Sequence, residues 1–492
     1  MSASGSTLSR SSMIGYSIGE CGNSLVMNSL FGFAMMYYTD ALGLPHAQAG
    51  IAMAVAVFWD AITDPMMGHI SDNTRSRFGR RHPYLLLGGI ATILTYVFLW
   101  YVPPVFTTSL QMLFWYLVVI NLLQRFAITV FYVPYLALGF EICTDYEGRV
   151  TLQGIRTAIN MFTNLLGPGL AWAIFFANND GVRATSVPGN YITMGLSYAA
   201  VSLVAFLLVV VITRRHIRDS RNAPPGGNTI RAFIRNMRDI VTDRLARYVL
   251  LFTVVVWSGI AFGSSLQMYL YEHFMHFSGF EKTVVHGGSL AGFGIGSLLA
   301  SRLAARFDKR GGVVWGCLQT IGANAILSLL FLPEILVPGQ RIALFSWNIP
   351  IAFPVFAVFH ILYWTGNGII FPVSLSMMAD VSEINAIRTG LKKDGAYAAV
   401  FSFAQKVAIS LAVLGSGYAL QFIGFEPGVE VVQSSSALWR LCAMTLLIGP
   451  AISLLSLGLI RLYPVTGSML TAIRERKGQQ GAQPETPGAG LR

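Results

Sequence analysis

Charge is scarce in this sequence. Only 12% of its 492 residues are Asp, Glu, Lys or Arg, while 54% are hydrophobic. That balance excludes a disordered chain and an ordinary soluble domain. Cysteine is scarcer still. Cys21, Cys143, Cys317 and Cys442 stand far apart, three of them inside apolar runs. No disulfide framework, zinc site or thiol-redox motif has that spacing, so they read as small apolar residues. Acids are fewer than bases, 23 Asp+Glu against 34 Lys+Arg, an excess of 11 positive charges. Met1–Ser12 has no cleavable signal pattern, so the first apolar run is read as retained. A nucleophile–base pair, a metal-ligand cluster and a phosphate-cradling glycine loop are all missing. An enzyme is not expected, and no cofactor is implied.

Long apolar runs are what the chain does have. Scanning gives about twelve of membrane-spanning length. They fall near 13–39, 48–71, 84–103, 109–140, 152–177, 190–213, 247–275, 284–305, 312–333, 347–380, 396–424 and 436–462. The expected class is an all-α membrane protein with the lipid bilayer as its partner. The positive charge follows the topology and is no nucleic-acid signal. Arg75, Arg77, Arg80 and Arg81 follow run two; Arg214, Arg215, Arg218 and Arg221 follow run six. Arg306, Lys309 and Arg310 follow run eight, and Arg388, Lys392 and Lys393 follow run ten. The intervening loops carry little beyond Arg183, Lys282 and Arg341. The positive-inside rule then places both termini in the cytoplasm of a cell with this protein in its cytoplasmic membrane.

The second run carries the chemistry. Asp60, Thr63 and Asp64 share one face at i, i+3 and i+4. An ionised Asp at the centre of a spanning helix costs roughly 2.5–3.5 kcal/mol. Two bare carboxylates about 6 Å apart at an effective dielectric of about 20 repel by roughly 3 kcal/mol more. A proton or a hard monovalent cation relieves both costs, and oxygen donors suit Na+ or H+. Pro65 lacks an N–H and frees the carbonyl one turn earlier. The plainer alternative is a pair of acids capped by a cationic side chain from a neighbouring helix.

Other polar groups lie at similar depth. Glu20, Asn23, Ser24 and Asn28 form a stripe on run one that must face protein or water. Arg125, in run four with Thr129 and Tyr132, needs a counter-charge. Glu20, the Asp60/Asp64 pair or a substrate carboxylate would each serve. Arg156 lies about a turn inside run five. Trp364 and His360 lie in run ten, and Lys406 is too deep in run eleven to snorkel easily. Asp72, Glu141 and Arg149, with Asp380 and Arg388, cluster at helix ends beside the basic loop. They read as interdomain and loop salt bridges that hold the inner gate shut.

The halves echo one another. Arg77-Phe78-Gly79-Arg80-Arg81 is mirrored by Arg306-Phe307-Asp308-Lys309-Arg310, and Glu141 with Arg149 by Asp380 with Arg388. Residues 1–213 and 247–462 form two six-span halves, joined by a linker at 214–246 and followed by a tail, 463–492, of disordered composition. The linker's Thr229–Thr242 stretch is basic and amphipathic, suited to lying along the inner leaflet.

With these residues in view the chain resembles the glycoside–pentoside–hexuronide:cation symporters of the major facilitator superfamily. The marks are Tyr38-Thr39-Asp40 with Gly43-Leu44, Trp59-Asp60 through Asp64-Pro65 with Gly68, and Thr74-Arg75-Ser76-Arg77 through Pro83. Further marks are Val133-Pro134-Tyr135, Asp145-Tyr146 with Arg149 and Arg156, Ala379-Asp380-Val381, Thr389-Gly390 and Gln405-Lys406. The resemblance implies the major facilitator fold and a cation site at Asp60, Thr63, Asp64 and Thr129. It also implies that Lys406 lies close to that site or to the sugar. It departs from galactoside carriers at Ser24, Tyr132 and Leu136, where those have two acids and a Trp, so a melibiose-type galactoside is not expected. Glu20, Asn23, Ser24, Asn28, Arg125, Tyr132, Arg156, Trp364 and Lys406 are the expected substrate contacts, and a sugar acid would suit Arg125. The expected activity is Na+- or H+-coupled symport of a glycoside or sugar acid by a monomer. A lysolipid carrier and a non-transporting sensor are the alternatives.

Overall fold

A computed structural model describes residues 9–475 apart from 143–145, 177–183, 218–229, 345–346, 390–392, 429–431, 471 and 474. The rest of the expected tail lies outside the described residues. Almost everything described is helical. The first half comprises α1 (Arg10–Ser17), α2 (Gly19–Met36) closing in a π turn at Tyr37–Ala41, α3 (His46–Asn73), α4 (His82–Trp100), α5 (Leu110–Ile142), α6 (Tyr146–Leu170) and α7 (Pro188–Thr213). A linker helix, α8 (Ile230–Thr242), leads into α9 (Arg244–Tyr269), α10 (Gly279–Phe331), α11 (Ala352–Thr389), α12 (Asp394–Phe422) and α13 (Ser435–Arg461).

Ten of these helices are long and apolar enough to cross a membrane. The other two expected spans are accounted for by two features. The polar stripe makes α2 too hydrophilic for that criterion. The 53-residue α10 contains two spans that meet at Asp308, where φ is 64° and ψ 166°. That reversal matches its partner in the first half, because Gly79 has φ 74° at the same place in the repeated motif. A glycine supplies positive φ without strain. Asp308 holds it by accepting the N–H of Lys309 at 2.6 Å and that of Gly467 at 2.9 Å. Run ten was expected to begin at residue 347. Instead Trp347–Pro350 (β2) pairs antiparallel with Arg341–Leu344 (β1). A short apolar run satisfies a strand as well as a helix, and Pro350 forbids a helix interior there.

The second half starts at Arg244, three residues before the expected boundary. Asp243 caps α9, accepting the N–H groups of Leu245 at 2.8 Å and Ala246 at 3.3 Å and a guanidinium bond from Arg388 at 2.7 Å. Burial pushes its carboxyl up, but those two N–H groups and Arg388 outweigh it and hold the carboxyl below the ordinary carboxylate range. The cap is therefore complete above that ordinary range and is lost as pH falls through the lowered value. The linker helix turns Ile240 inward, with Arg231, Arg235 and Arg238 exposed, and packs on α9, α12 and α3.

One seam ties the halves together along their length. Helices α3 and α12 run antiparallel: Gly50 meets Gly417, Ser410 donates to the Ala54 carbonyl at 2.7 Å, and Lys406 reaches Asp60 and Asp64. A Cβ on Gly417 would lie 2.6 Å from the His46 carbonyl oxygen and 2.9 Å from the Gly50 Cα, both rigid backbone. Gly417→Leu should therefore push α12 off α3 and destabilise the detergent-solubilised protein by about 1–3 kcal/mol. Gly458→Leu, where a Cβ meets open space, should leave the unfolding temperature unchanged. Scanning fluorimetry on both variants checks this.

Candidate functional site

The expected cation residues come together about half-way along α3. The Thr129 hydroxyl on α5 lies 2.9 Å from an oxygen of Asp60 and 2.9 Å from one of Asp64. It has one proton, so it donates to one carboxylate at a time. Their other oxygens face Lys406 of α12, whose ammonium is 2.9 Å from Asp60 and also bonds Asp64. Thr63 is buried on the same helix, but its hydroxyl donates to the carbonyls of Trp59 and Asp60 at 3.2 and 3.4 Å, so no hydrogen bond brings it into the cluster.

Arg125 joins from one turn before Thr129. It is 2% exposed, 4.0 Å from Asp60 and stacked over Phe31 with 4.7 Å to the ring centroid. Its Nε is buried without a hydrogen-bond partner. At 4 Å and an effective dielectric of about 20, a charge pair is worth about 4 kcal/mol before desolvation. Of the counter-charges open to Arg125 in the sequence, the structure uses Asp60.

Glu20 is taken by Arg156. Arg156 Nε donates to it at 3.0 Å, a second guanidinium nitrogen also bonds it, and the Tyr132 hydroxyl is 3.5 Å away. Further along, Asn160 donates to Ser24 at 2.8 Å, Asn164 to Asn160 at 3.0 Å and Asn28 to Asn164 at 2.5 Å. Asn23 is buried on the same helix. The stripe of α2 thus zips to a matching stripe of α6. Asn160 and Asn164 were missed from the sequence, although Arg156, Asn160 and Asn164 recur at i, i+4 and i+8 and could have been found that way.

Between the halves lies a cavity of about 440 Å³. Asn28, Asn164, Gln267, His286, Trp364 and Asn367 bring polarity to it, while Trp257, Phe293 and Phe371 make much of its wall. Among the described residues, no Asp, Glu, Lys or Arg lines it. Phe31, Gly32, Ser265, Met268 and Val413 line both this cavity and a smaller one that reaches Arg125. Glu20, Ser24, Arg156 and Lys406 are outside the lining of either.

The helix-end charges form the loop salt bridges expected of them, within each half. Arg81 bonds Ser71, Asp72 and Glu141, and Arg80 bonds Glu141 at 2.9 Å, all within the first half. Lys309 bonds Asp380 at 2.6 Å within the second. Arg75 and Arg77 are exposed, Arg388 serves Asp243, and the Arg149 side chain lies outside the described residues. These pairs repeat across the halves, Arg80–Glu141 matching Lys309–Asp380, yet each fastens the ends of helices in its own half. Sequence spacing could not show this, since a loop cation has acids of both halves within reach. At the opposite face, bonds do cross between halves: Asp40 with His273 at 2.9 Å, Thr39 with Tyr269 at 2.8 Å and Thr185 with Glu272 at 3.2 Å.

The sequence profile described as MFS/sugar transport protein matches residues 15–467. The chain is 26% identical to the inner membrane symporter YicJ of Escherichia coli K12, covering 96% of this chain and 95% of that protein. It is also 26% identical to that organism's putative glycoside/cation symporter YagG, covering 94% and 93%. Among solved structures, the nucleoside transporter NupG superposes with a TM-score of 0.64 over 94% of this chain and 99% of its own, at 9% identity, a likeness of fold alone.

Removing one member of the ion cluster leaves a net charge in a partly buried site. Lys406→Met alone should cost about 1–3 kcal/mol, because Asp64 is partly exposed and Arg125 still faces Asp60. Lys406→Met with Asp64→Asn should cost less than the sum of the two single changes by about 0.5–3 kcal/mol. A double-mutant cycle on unfolding free energy measures the difference; strict additivity would dissolve the pair.

Proposed function

Since the chain belongs to the MFS/sugar transport protein family, we propose that it is a cation-coupled symporter carrying an uncharged glycoside through the cavity between its halves. The observation that carries this reading is the Asp60–Asp64–Thr129–Lys406 cluster, which joins α3 of one half to α12 of the other. An ion arriving there changes the charge balance of the contact that spans the halves. Cation binding and the approach of the halves are thereby one event, which is what alternating access requires. A single charge crossing about 100 mV supplies about 2.3 kcal/mol, enough for a roughly fifty-fold gradient of solute.

The cavity supports the uncharged end of the expected substrate range. Its volume is in the usual range for small-molecule sites, and side-chain amides opposite aromatic faces suit hydroxyls and an apolar aglycone. Among the described residues no Asp, Glu, Lys or Arg lines it to pair with a uronate, and Arg125, the reason to expect a sugar acid, faces Asp60. The protein sits in the cytoplasmic membrane with both termini inside, as the distribution of Arg and Lys supports, and we take the monomer as the working unit.

Uptake into proteoliposomes tests this with a panel of neutral glycosides, glucuronides and lysophospholipids under imposed ion gradients. A neutral glycoside should accumulate against its gradient, and the Asp60→Asn/Asp64→Asn protein should lose accumulation. Accumulation of only a glucuronide or lysolipid would overturn the substrate class. Accumulation persisting in the double variant would overturn the coupling.

A further inference from the structure

The fixed charges around the carboxylate pair sum to zero. Asp60 and Asp64 bring two negative charges, Lys406 brings one positive, and Arg125 brings a second. Arg cannot shed its proton inside a protein, so that charge is permanent. Glu20, another acid of this half, is already paired with Arg156. The cluster is therefore neutral as built. Without Arg125 it would carry one net negative charge, the balance that admits one monovalent metal ion.

Arg125 is also held in place. It is buried between Phe31 and Asp60, with Met27 sulfur 3.9 Å from one guanidinium nitrogen. Asp60 is the one acid among the described residues that the structure pairs with it. The oxygens of Asp60, Asp64 and Thr129 are of the right chemistry for Na+, but a sodium ion among them would meet two fixed positive charges in a low-dielectric site.

We propose that Arg125 is a built-in counter-ion that excludes Na+ from the Asp60/Asp64 pair, making it the residue that sets ion specificity. This rests on the reading of that pair as the cation site. Arg125 touches no solute in this role; it acts through Asp60, and its charge, not its shape, is what matters.

The test is direct Na+ binding to the purified full-length protein, read by the Na+-induced change in intrinsic Trp fluorescence and in thermal stability, with choline chloride as the ionic-strength control. Wild type should show no Na+-specific response up to about 100 mM, and Arg125→Lys, which keeps the charge, should behave the same. Arg125→Gln and Arg125→Met should gain a saturable response. The gain expected from removing a unit charge about 6 Å away at an effective dielectric of about 20 is on the order of a hundredfold in affinity. A Na+ response in wild type overturns the proposal. So does equal behaviour of the Lys and Gln variants, which would make the guanidinium's role one of packing. Binding is measured without solute, so the outcome for Na+ stands even if the protein carries no glycoside. Loss of the gained response in Arg125→Gln with Asp60→Asn and Asp64→Asn would place the ion at the pair; its persistence would overturn the site.

Discussion

An ammonium group shared between two carboxylates holds this structure's logic together. Lys406 comes from the second half and Asp60 and Asp64 from the first, all well inside the membrane-spanning part. Each partner stabilises the other there, because an ion in a partly buried site without its counter-charge is costly. The contact is thus favoured as long as the acids are ionised and nothing else satisfies them. The closely packed glycines Gly50 and Gly417 and the Ser410 bond to Ala54 extend it into a continuous seam. That seam lets an event at one ion cluster be felt along two helices from different halves.

Around the seam, charge is kept in closed sets. Glu20 is satisfied by Arg156, Glu141 by Arg80 and Arg81, Asp380 by Lys309 and Asp243 by Arg388. These pairs fasten helices within one half or fix the linker to the second. They make each half a stiff body rather than a lock between bodies. Contacts that cross gather at the face opposite the basic loops, where Asp40 meets His273 and Thr39 meets Tyr269. Two rigid halves, a crossing seam and an uncharged cavity between them are the parts an alternating-access carrier needs.

Much of this was legible in the chain. The i, i+4 spacing of Asp60 and Asp64 placed both acids on one face, and a fold of twelve spans followed from the length of the apolar runs. The internal repeat was visible in Arg77–Arg81 and Arg306–Arg310, and the matching positive φ at Gly79 and Asp308 shows how deep it goes. What stayed hidden were partners distant in sequence. Arg125 had three possible counter-charges, and only packing shows that Glu20 is already occupied by a residue 136 positions away. The sequence left open whether the helix-end charges pair between halves or with their own loops, and Arg80–Glu141 and Lys309–Asp380 close within each half. The strand pair 341–344 and 347–350 escaped because a four-residue run has no readable period.

The central claim is that the bridge from Lys406 to Asp60 and Asp64 sets the separation of the halves. Spin labels at the exposed positions 77 and 306, in a background freed of native cysteine, report that separation by pulsed dipolar spectroscopy. Wild type should give one narrow distance distribution, and Lys406→Met should broaden it or shift it to a second population. An identical narrow distribution in a properly folded Lys406→Met protein would contradict the account.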